Sequence, residues 1–256
     1  MSEEIIFNKY EIRGEDYHYK QINKNNPFTF NAYVYARYIR QVFLLKKNLK
    51  NKDCENQSLN LLDMGCGDGV LTFLIKKHIP EYKFNIYGID LSEKALKTAK
   101  NKIPEGNFVK SGVYETNFQD NFFDVIISSD VIEHVKYPEK MLEEAKRTAK
   151  HNAIIIFGTP VRYTEKPIDR MHEHEFFPEE FKNLFSKYFS NADIVLSHQL
   201  YYLLKYRKSL KIFSRKIRLN KYLFYVKTLL FRNPFLKKSK RINALYSYMY
   251  VTAVKG

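Results

Sequence analysis

The stretch from Leu59 to Gly69 constrains the fold of this chain more than any other part of the sequence. It reads LNLLDMGCGDG, an apolar run that ends in an acidic residue and continues directly into three alternating glycines. The next residues, 70–78, have the apolar spacing of a helix. Glycine allows backbone angles that a Cβ forbids and leaves no side chain in the way of a ligand. This succession predicts a nucleoside-binding turn between a strand and the N-terminus of a helix.

A second acidic residue strengthens this interpretation, since a glycine turn alone often serves geometry only. The residues from Lys83 to Ile89 are another strand-like run, and Asp90 follows them. The two hydroxyl groups of a ribose are hydrogen-bond donors, which an acid at the end of a second strand can accept. We therefore expect Asp63 and Asp90 to serve the same ligand pocket.

These motifs, together with Phe123-Asp124-Val125-Ile126-Ile127-Ser128, resemble those of a class I S-adenosylmethionine-dependent methyltransferase. The resemblance covers roughly residues 59–190. A dinucleotide dehydrogenase more typically has Gly-x-Gly-x-x-Gly, and its third glycine position is Val70 here. Another nucleotide-binding α/β protein remains the alternative.

The resemblance implies an α/β fold, a doubly wound and mostly parallel sheet of seven strands. It also implies S-adenosyl-L-methionine as the cofactor. An N-terminal helical cap and a basic helical insertion before the last strand are expected additions. The corresponding ranges are 1–50 for the cap, 51–198 for the cofactor-binding core, 199–244 for the insertion and 245–256 for the final strand of the core.

The resemblance also assigns the cofactor contacts to the ends of the first four strands. The expected residues are Asp63, Gly65, Cys66, Gly67, Asp90, Leu91, Gly112, Val113 and Ser128. One departure is Gly112, which stands where methyltransferases of this type usually have an acid that binds the adenine amino group. The Val113 amide and apolar contacts could hold the adenine instead.

The residues after the fourth strand are candidates for the acceptor site. In open α/β sheets the ligand crevice lies outside the carboxyl ends of the strands, which is where Asp130, Glu133 and His134 are expected. In the quinone-pathway relatives the matching positions are associated with a divalent cation. Two carboxylates and an imidazole would suit Mg²⁺ or Mn²⁺. Alternatively, Asp130 and Glu133 only complement a helix dipole.

A loop rich in His and Glu, residues 169–176, precedes Pro178-Glu179-Glu180, as in the quinone-pathway branch of small-molecule O-methyltransferases that this chain resembles. An alcohol acceptor must lose its proton, which requires a base with a near-neutral pKa or a metal. His134, His172 and His174 are the candidate catalytic bases. His172 and His174 alternate, so an extended loop would point them the same way. Each could equally hold the loop by hydrogen bonds.

A helix is predicted from Ala32 to about Asn48, with Asn31 as its cap. In the family that this chain resembles, such a leading helix often lies over the cofactor pocket. Tyr33 and Arg37 are therefore candidates for contact with the cofactor carboxylate or with an acidic acceptor. A packing helix with a solvated arginine is an equal alternative.

The net charge of +15 is concentrated in the C-terminal part. Residues 199–256 contain fifteen Lys or Arg and no Asp or Glu, so residues 1–198 are neutral overall. Residues 199–243 interleave these cations with aromatic side chains and predict two helices, split near Asn220 and ended by Asn233-Pro234. This segment fits a helical lid with a solvated basic face, a site for an anionic acceptor, a peripheral contact with an anionic membrane, or RNA.

The composition is that of one sizeable domain with additions. No run of about eighteen uncharged apolar residues predicts a membrane-spanning helix. The acidic start does not read as a secretory signal, and two cysteines give no disulfide framework, so a cytoplasmic location is expected.

The predicted function is S-adenosylmethionine-dependent O-methylation of a small polar acceptor, with a sugar or another surface-glycan precursor favoured. The alternatives are a methyltransferase of a lipid or quinone precursor at a membrane surface, an RNA-base methyltransferase, and a cofactor-binding protein without catalysis.

Overall fold

A computed structural model of the chain describes residues 9–50, 52, 57–164, 169, 171–212, 215–237 and 244–256. The strands of the main sheet are β1 (Ser58–Met64), β2 (Lys83–Asp90), β3 (Asn107–Lys110), β4 (Phe123–Ser129), β5 (Ala149–Pro160), β6 (Ser190–Gln199) and β9 (Tyr246–Val254). A separate hairpin consists of β7 (Leu210–Ile212) and β8 (Arg215–Ile217). The α-helices are α1 (Lys9–Arg13), α2 (Tyr17–Ile22), α3 (Ala32–Lys50), α4 (Val70–His78), α5 (Glu93–Lys102), α6 (Pro138–Thr148), α7 (Pro178–Ser186), α8 (Leu200–Arg207) and α9 (Leu219–Leu229), and a 3-10 helix covers Pro234–Leu236.

The main sheet has the strand order β3-β2-β1-β4-β5-β9-β6. Neighbouring strands from β3 to β5 are parallel, whereas β9 is antiparallel to both β5 and β6. This arrangement confirms the predicted doubly wound, mostly parallel α/β fold. The strand order reverses between β1 and β4, and an open sheet forms its ligand crevice at such a point. The carboxyl ends of β1, β2 and β4 therefore position the candidate site.

Helices cover both faces of the sheet, so its central strands are buried on both sides. Side chains of β4 show this directly, because successive residues of a strand point to opposite faces. Val125 and Ile127 pack in the hydrophobic cluster that includes α3 and α4, and Ile126 packs in the cluster that includes α6 and α7. The uninterrupted apolar run of β4 follows from this double burial.

The predicted start of α3 is confirmed by its cap. The side-chain oxygen of Asn31 accepts hydrogen bonds from the amides of Tyr33 at 3.1 Å and Val34 at 3.3 Å. The helix continues to Lys50, two residues beyond the expected end. Its buried face packs on α4 and the sheet, as the apolar stripe predicted.

The fifth and sixth strands extend into polar sequence. β5 begins at Ala149, directly after α6 ends at Thr148. β6 runs from Ser190 to Gln199. Polar residues at the strand ends join the ladder because their backbone pairs with neighbouring strands, which side-chain hydrophobicity does not reveal.

The predicted split of the insertion near Asn220 is wrong. The helices α8 and α9 are separated by the β7–β8 hairpin, in which Leu210 pairs with Ile217, and Asn220 lies within α9. Residues 211–217 read KIFSRKI and mix basic with apolar types over a short span, which fits a strand as well as a helix. Residues 213–214 and part of the insertion, 238–243, lie outside the described residues, as do most of 51–56.

Among the described residues, none of the helices combines the length and the apolar character that are needed to cross a bilayer.

Candidate active site

The glycine turn between β1 and α4 has the backbone that its sequence predicts. Gly65, Gly67 and Gly69 have φ angles of 75°, 53° and 78°, in the left-handed region that favours glycine. A Cβ on Gly65 would lie 2.3 Å from a methyl carbon of Val131. The turn is therefore held close to the loop after β4, and larger residues are excluded from it.

Asp63 lies at the end of β1, fully enclosed beneath this turn. Its Oδ2 accepts a hydrogen bond from Oγ1 of Thr72 at 2.8 Å. Burial raises the pKa of Asp63 to about 7, although the hydrogen bond from Thr72 lowers it. Such a carboxyl group is half-ionised near neutral pH, and a buried charge of this kind is typical of a functional site.

Asp90 reaches the same turn from the end of β2. Its Oδ2 accepts from the amide of Gly67 and its Oδ1 from the amide of Ser92, both at 2.9 Å. Burial raises the pKa of Asp90, while these two amide hydrogen bonds lower it. The structure thus brings Asp63 and Asp90 together at the glycine turn, as expected from the sequence.

The other expected cofactor residues have mixed surroundings. Cys66 is buried in the turn, and Leu91 is exposed beside it. A Cβ on Gly112 would meet nothing within 4 Å, so open space lies next to this residue. Val113 packs against the core cluster beside α6, and Ser128 donates a hydrogen bond to the Met64 carbonyl at 2.8 Å. Ser128 therefore ties β4 to β1.

The N-terminal segment with α1 and α2 lies directly over the glycine turn. The hydroxyl of Tyr10 accepts a hydrogen bond from the amide of Asp68 at 3.1 Å, and a Cβ on Gly67 would lie 1.9 Å from that hydroxyl. The amide of His18 donates to Oδ2 of Asp68 at 2.9 Å, and Nδ1 of His18 lies 3.1 Å from the Tyr10 hydroxyl. Burial lowers the pKa of His18 and raises that of Tyr10.

Sequence reasoning missed Tyr10 and His18. Both lie within the expected N-terminal cap, residues 1–50, but only Tyr33 and Arg37 of that cap were expected to contact a ligand. Residues 9–22 have no glycine motif or helical stripe that points to a ligand site. Their position depends on contacts fifty residues away, with Asp68, and no local pattern reports such contacts.

Arg37 and Asp130 form an ion pair beside this region. Nη1 of Arg37 donates to Oδ1 of Asp130 at 2.8 Å, and the guanidinium lies over the ring of Tyr248 at 4.9 Å. The hydroxyl of Tyr33 lies 3.2 Å from Oγ of Ser247. Nε of Arg37 is buried and has no hydrogen-bond partner among the described residues. The expected contact of Tyr33 and Arg37 with a cofactor or an acceptor stays a prediction.

Three side chains converge after β4, in a group that we call the His–Glu cluster: Glu133, His134 and His172. One potential ligand atom of each lies within 4.8 Å of the others. Nδ1 of His134 donates to the Met171 carbonyl at 2.7 Å, and Nδ1 of His172 lies 2.7 Å from Oε1 of Glu175. The imidazole rings of His134 and His172 are 4.9 Å apart.

Glu133 is the buried member of this cluster. Its Oε2 accepts from Oγ1 of Thr159 at 3.1 Å, while its Oε1 has no hydrogen-bond partner within the described part of the chain. Burial, and then the nearby Asp130 carboxylate, raise the pKa of Glu133. A buried carboxyl oxygen without a partner is costly, which points to a bound group or a proton at this position.

The cluster differs from the expected metal ligands Asp130, Glu133 and His134. Asp130 binds Arg37 instead, and His172 takes the third place. His174 does not accompany His172: its amide donates to the Glu133 carbonyl at 3.0 Å and its Nε2 to the Lys136 carbonyl at 3.2 Å. The two histidines therefore have different hydrogen-bond partners, and their expected common direction stays a prediction.

Residues 62–157 match the protein family described as methyltransferase domain. Within this range the chain contains a methyltransferase domain. This domain contains the glycine turn and two members of the His–Glu cluster, Glu133 and His134. His172 and the N-terminal segment lie outside the matched range.

Curated relatives of the methyltransferase domain align over part of their length. A ubiquinone biosynthesis O-methyltransferase of Pelagibacter ubique is 27% identical over 146 residues, which cover 55% of this chain and 56% of that protein. An uncharacterised methyltransferase of Schizosaccharomyces pombe is 32% identical over 101 residues, covering 35% of this chain and 36% of that protein. The chain therefore spans about a third to a half of the length of these relatives.

Solved structures share the architecture. A SAM-dependent methyltransferase of Thermotoga maritima, a possible histamine N-methyltransferase, matches with a TM-score of 0.59 at 16% identity. The match covers 98% of this chain and 100% of that chain. At this identity the similarity shows the fold alone, since one fold hosts many acceptors.

Proposed function

We propose that this protein transfers the methyl group of S-adenosylmethionine to a hydroxyl oxygen of a small acceptor. The observation that carries the proposal is the common location of two groups of side chains. Asp63 and Asp90 flank the glycine turn at the ends of β1 and β2, and the His–Glu cluster follows the end of the adjacent strand β4. Donor and acceptor sites on neighbouring strand ends allow a direct transfer.

Asp90 at the glycine turn fits the cofactor, because it retains carboxylate lone pairs for ribose hydroxyls besides those used by Gly67 and Ser92. Val131 and the Tyr10 hydroxyl occupy the space beside Gly65 and Gly67, so the N-terminal segment must move aside before a nucleoside contacts the turn. The open space beside Gly112 suits an adenine ring held by apolar contact. When bound, the cofactor supplies a methyl group already activated by its sulfonium charge, so the protein mainly aligns the reacting atoms.

We assign the general base to His172. A hydroxyl acceptor must lose a proton to an imidazole within hydrogen-bond reach. Glu175 holds Nδ1 of His172 at 2.7 Å, which fixes the orientation of the ring and stabilises the imidazolium that forms. Nε2 of His174 donates to the Lys136 carbonyl and is therefore occupied, so His174 is the weaker candidate. His134 is the neighbour that helps to place the acceptor.

A divalent cation is the second candidate for activating the hydroxyl. The unpartnered Oε1 of Glu133 and the two imidazoles of the His–Glu cluster supply a fitting ligand set. One carboxylate and two imidazoles suit Mn²⁺ better than Mg²⁺, which prefers oxygen ligands. Such an ion would lower the pKa of a hydroxyl bound to it.

The named relatives support a quinone precursor as the acceptor over the sugar or glycan precursor that the sequence favoured. The Pelagibacter relative is described as an O-methyltransferase of ubiquinone biosynthesis. A phenolic hydroxyl also loses its proton more readily than a sugar hydroxyl, which suits a single imidazole base. RNA has no comparable support.

The experiment is a methyl-transfer assay with labelled cofactor and a panel of catechols, quinol precursors, sugars, sugar nucleotides and tRNA. We expect label in a phenolic compound, and calorimetric binding of S-adenosylhomocysteine that Asp90→Ala abolishes. The matched control is Asp193→Ala, an exposed acid on β6. Absence of binding to the wild-type protein would rule out the proposal, and label in sugars alone would overturn the acceptor class.

A further inference from the structure

The helix α9 exposes an apolar stripe to solvent. Its members recur at the spacing of one helical face and are all exposed: Leu219, Tyr222, Leu223, Val226, Leu229 and Leu230. The opposite face is also apolar, since Phe224 is buried against Phe235 and Tyr206. A surface helix of a globular protein normally turns polar residues to water. The stripe is therefore a surface that fits a partner.

Phe231 extends the stripe beyond the end of α9. It is 93% exposed, the highest value among the exposed large hydrophobic side chains of the described residues. Its backbone has φ of 55°, an unfavourable region for a bulky side chain. Hydrogen bonds from the amides of Phe231 to the Thr228 carbonyl and of Arg232 to the Lys227 carbonyl hold this turn. The chain thus maintains a strained turn that presents an aromatic ring to solvent.

Cations surround the stripe without any compensating acid. An open groove between the end of α8 and the start of α9 is lined by Lys205, Arg207 and Lys208 together with Tyr201 and Leu204. These cations are exposed, as are Arg218 and Arg232 at the ends of α9. Residues 199–256 contain no Asp or Glu, so no acidic group in this segment offsets the charge.

We propose that the stripe, with Phe231 and the surrounding cations, binds the surface of an anionic phospholipid bilayer. A helix with exposed Leu, Val and aromatic side chains beside Lys and Arg lies in the membrane interface, where tails take the apolar groups and headgroups the cations. Binding of this kind needs no spanning helix. The proposal is independent of methyl transfer, because none of these residues belongs to the candidate active site.

Two other partners fit the surface less well. RNA would use the cations and the aromatic rings, but the aliphatic residues Leu219, Leu223, Val226 and Leu229 offer nothing to bases or phosphates. A second copy of the chain would bring two basic segments together across a symmetric interface, with repulsion and no acid to pair. An anionic bilayer offers lipid tails to the apolar side chains of the stripe and charged headgroups to the surrounding cations.

The test uses the absence of tryptophan from the chain. In the full-length variant Phe231→Trp, the only indole stands at the centre of the proposed contact. We expect its emission to shift to the blue, and to be quenched by brominated lipid, on addition of vesicles of two parts phosphatidylcholine to one part phosphatidylglycerol. The matched control Phe43→Trp replaces an exposed aromatic residue of α3, 47% accessible, and should show neither change.

Sedimentation of the same vesicles measures the contribution of the stripe. Leu223→Ser with Phe231→Ser should lower the bound fraction about tenfold, because two exposed apolar side chains are removed. Circular dichroism should remain that of the wild type. Salt should weaken binding, and pure phosphatidylcholine should bind poorly. The proposal is overturned if the wild-type chain stays in the supernatant or if the double variant binds vesicles equally well. It is also overturned if the wild-type chain binds tRNA but not vesicles. A wild-type dimer in light scattering that becomes a monomer in the double variant would assign the stripe to self-association instead.

Discussion

Arg37 and Asp130 join α3 to the carboxyl end of β4 through a hydrogen bond of 2.8 Å between Nη1 and Oδ1. Their side chains retain 15% and 18% of their exposure, so water screens the pair weakly. Asp130 also has φ of 57°, which places its carboxylate at the turn that leads into Glu133 and His134. The ion pair therefore anchors the loop that carries the His–Glu cluster.

Arg37→Met should destabilise the protein by about 3 to 5 kcal/mol, since it leaves the Asp130 carboxylate mostly buried without its cation. The double variant Arg37→Met with Asp130→Asn should recover most of that loss, because no unpaired charge remains. Urea unfolding of both variants measures the difference. Equal stability of the single and double variants would show that the pair contributes little.

Asp63→Asn should remove a stability cost that grows with pH. The folded-state pKa of Asp63 is about 7, above its ordinary value of 3.8, because burial disfavours the carboxylate. The folded state therefore binds the proton more tightly, and stability falls as pH rises from about 4 to about 7. Each pKa unit corresponds to about 1.4 kcal/mol. Thermal unfolding should show the variant gaining stability relative to wild type at pH 8 but not at pH 4.

The same substitution should weaken binding of S-adenosylhomocysteine, measured by calorimetry at pH 8. The buried carboxylate of Asp63 lowers the stability of the protein, and we expect its compensating role to be binding of the cofactor. Thr72 can still donate to the asparagine oxygen, so a change in affinity reports the lost charge. Unchanged affinity together with unchanged pH dependence would assign Asp63 to packing alone.

The sequence predicted the sheet, the glycine turn and the two carboxylates because these features are local. An apolar run, a left-handed glycine and an acid at a strand end each need only a few neighbouring residues. The mostly parallel seven-stranded sheet follows from the family resemblance. The location of Asp63 and Asp90 at one turn could therefore be predicted without a structure.

The rest depends on contacts between distant residues. The hydroxyl of Tyr10 meets Gly67 and Asp68 only after α1 folds back over β1, and no motif marks that position. Asp130 was expected to be a metal ligand, and in the structure it forms an ion pair with Arg37 of α3, which is 93 residues away in sequence. His172 and His174 alternate in the sequence, yet the first lies beside Glu175 and the second bonds the Lys136 carbonyl. A residue pattern does not record such partners.

Tyr10→Phe should speed the release of cofactor. The variant loses the hydroxyl that accepts from the Asp68 amide and contacts His18, so the segment over the glycine turn opens more readily. One hydrogen bond of about 1 kcal/mol predicts a release rate of S-adenosylhomocysteine roughly fivefold higher in stopped flow. Tyr17→Phe in α2 is the matched control, since the hydroxyl of Tyr17 accepts from Arg13 and has no contact with Asp68 among those described. Equal rates for both variants would show that the segment does not gate the site.

His172→Gln should lower methyl transfer by roughly a hundredfold or more, the usual contribution of a general base. Affinity for S-adenosylhomocysteine should stay unchanged, because His172 lies outside the glycine turn. The matched variant His174→Gln changes another partly buried histidine of the same loop and should keep activity within about threefold of wild type. If His174→Gln lowered methyl transfer more than His172→Gln, His174 would be the base.

Glu175→Gln then distinguishes an imidazole base from a metal ion. If His172 acts as the base, the loss of the carboxylate that holds its Nδ1 should lower kcat by about ten- to a hundredfold, and a chelator should leave the wild-type rate unchanged. If a cation activates the hydroxyl, the chelator should stop the wild-type reaction and Mn²⁺ should restore it. Calorimetric titration with Mn²⁺ provides the independent readout, since Glu133→Gln should abolish binding that depends on its unpartnered oxygen. If activity persists in the presence of the chelator and no Mn²⁺ binds, His172 is the group that accepts the proton of the hydroxyl.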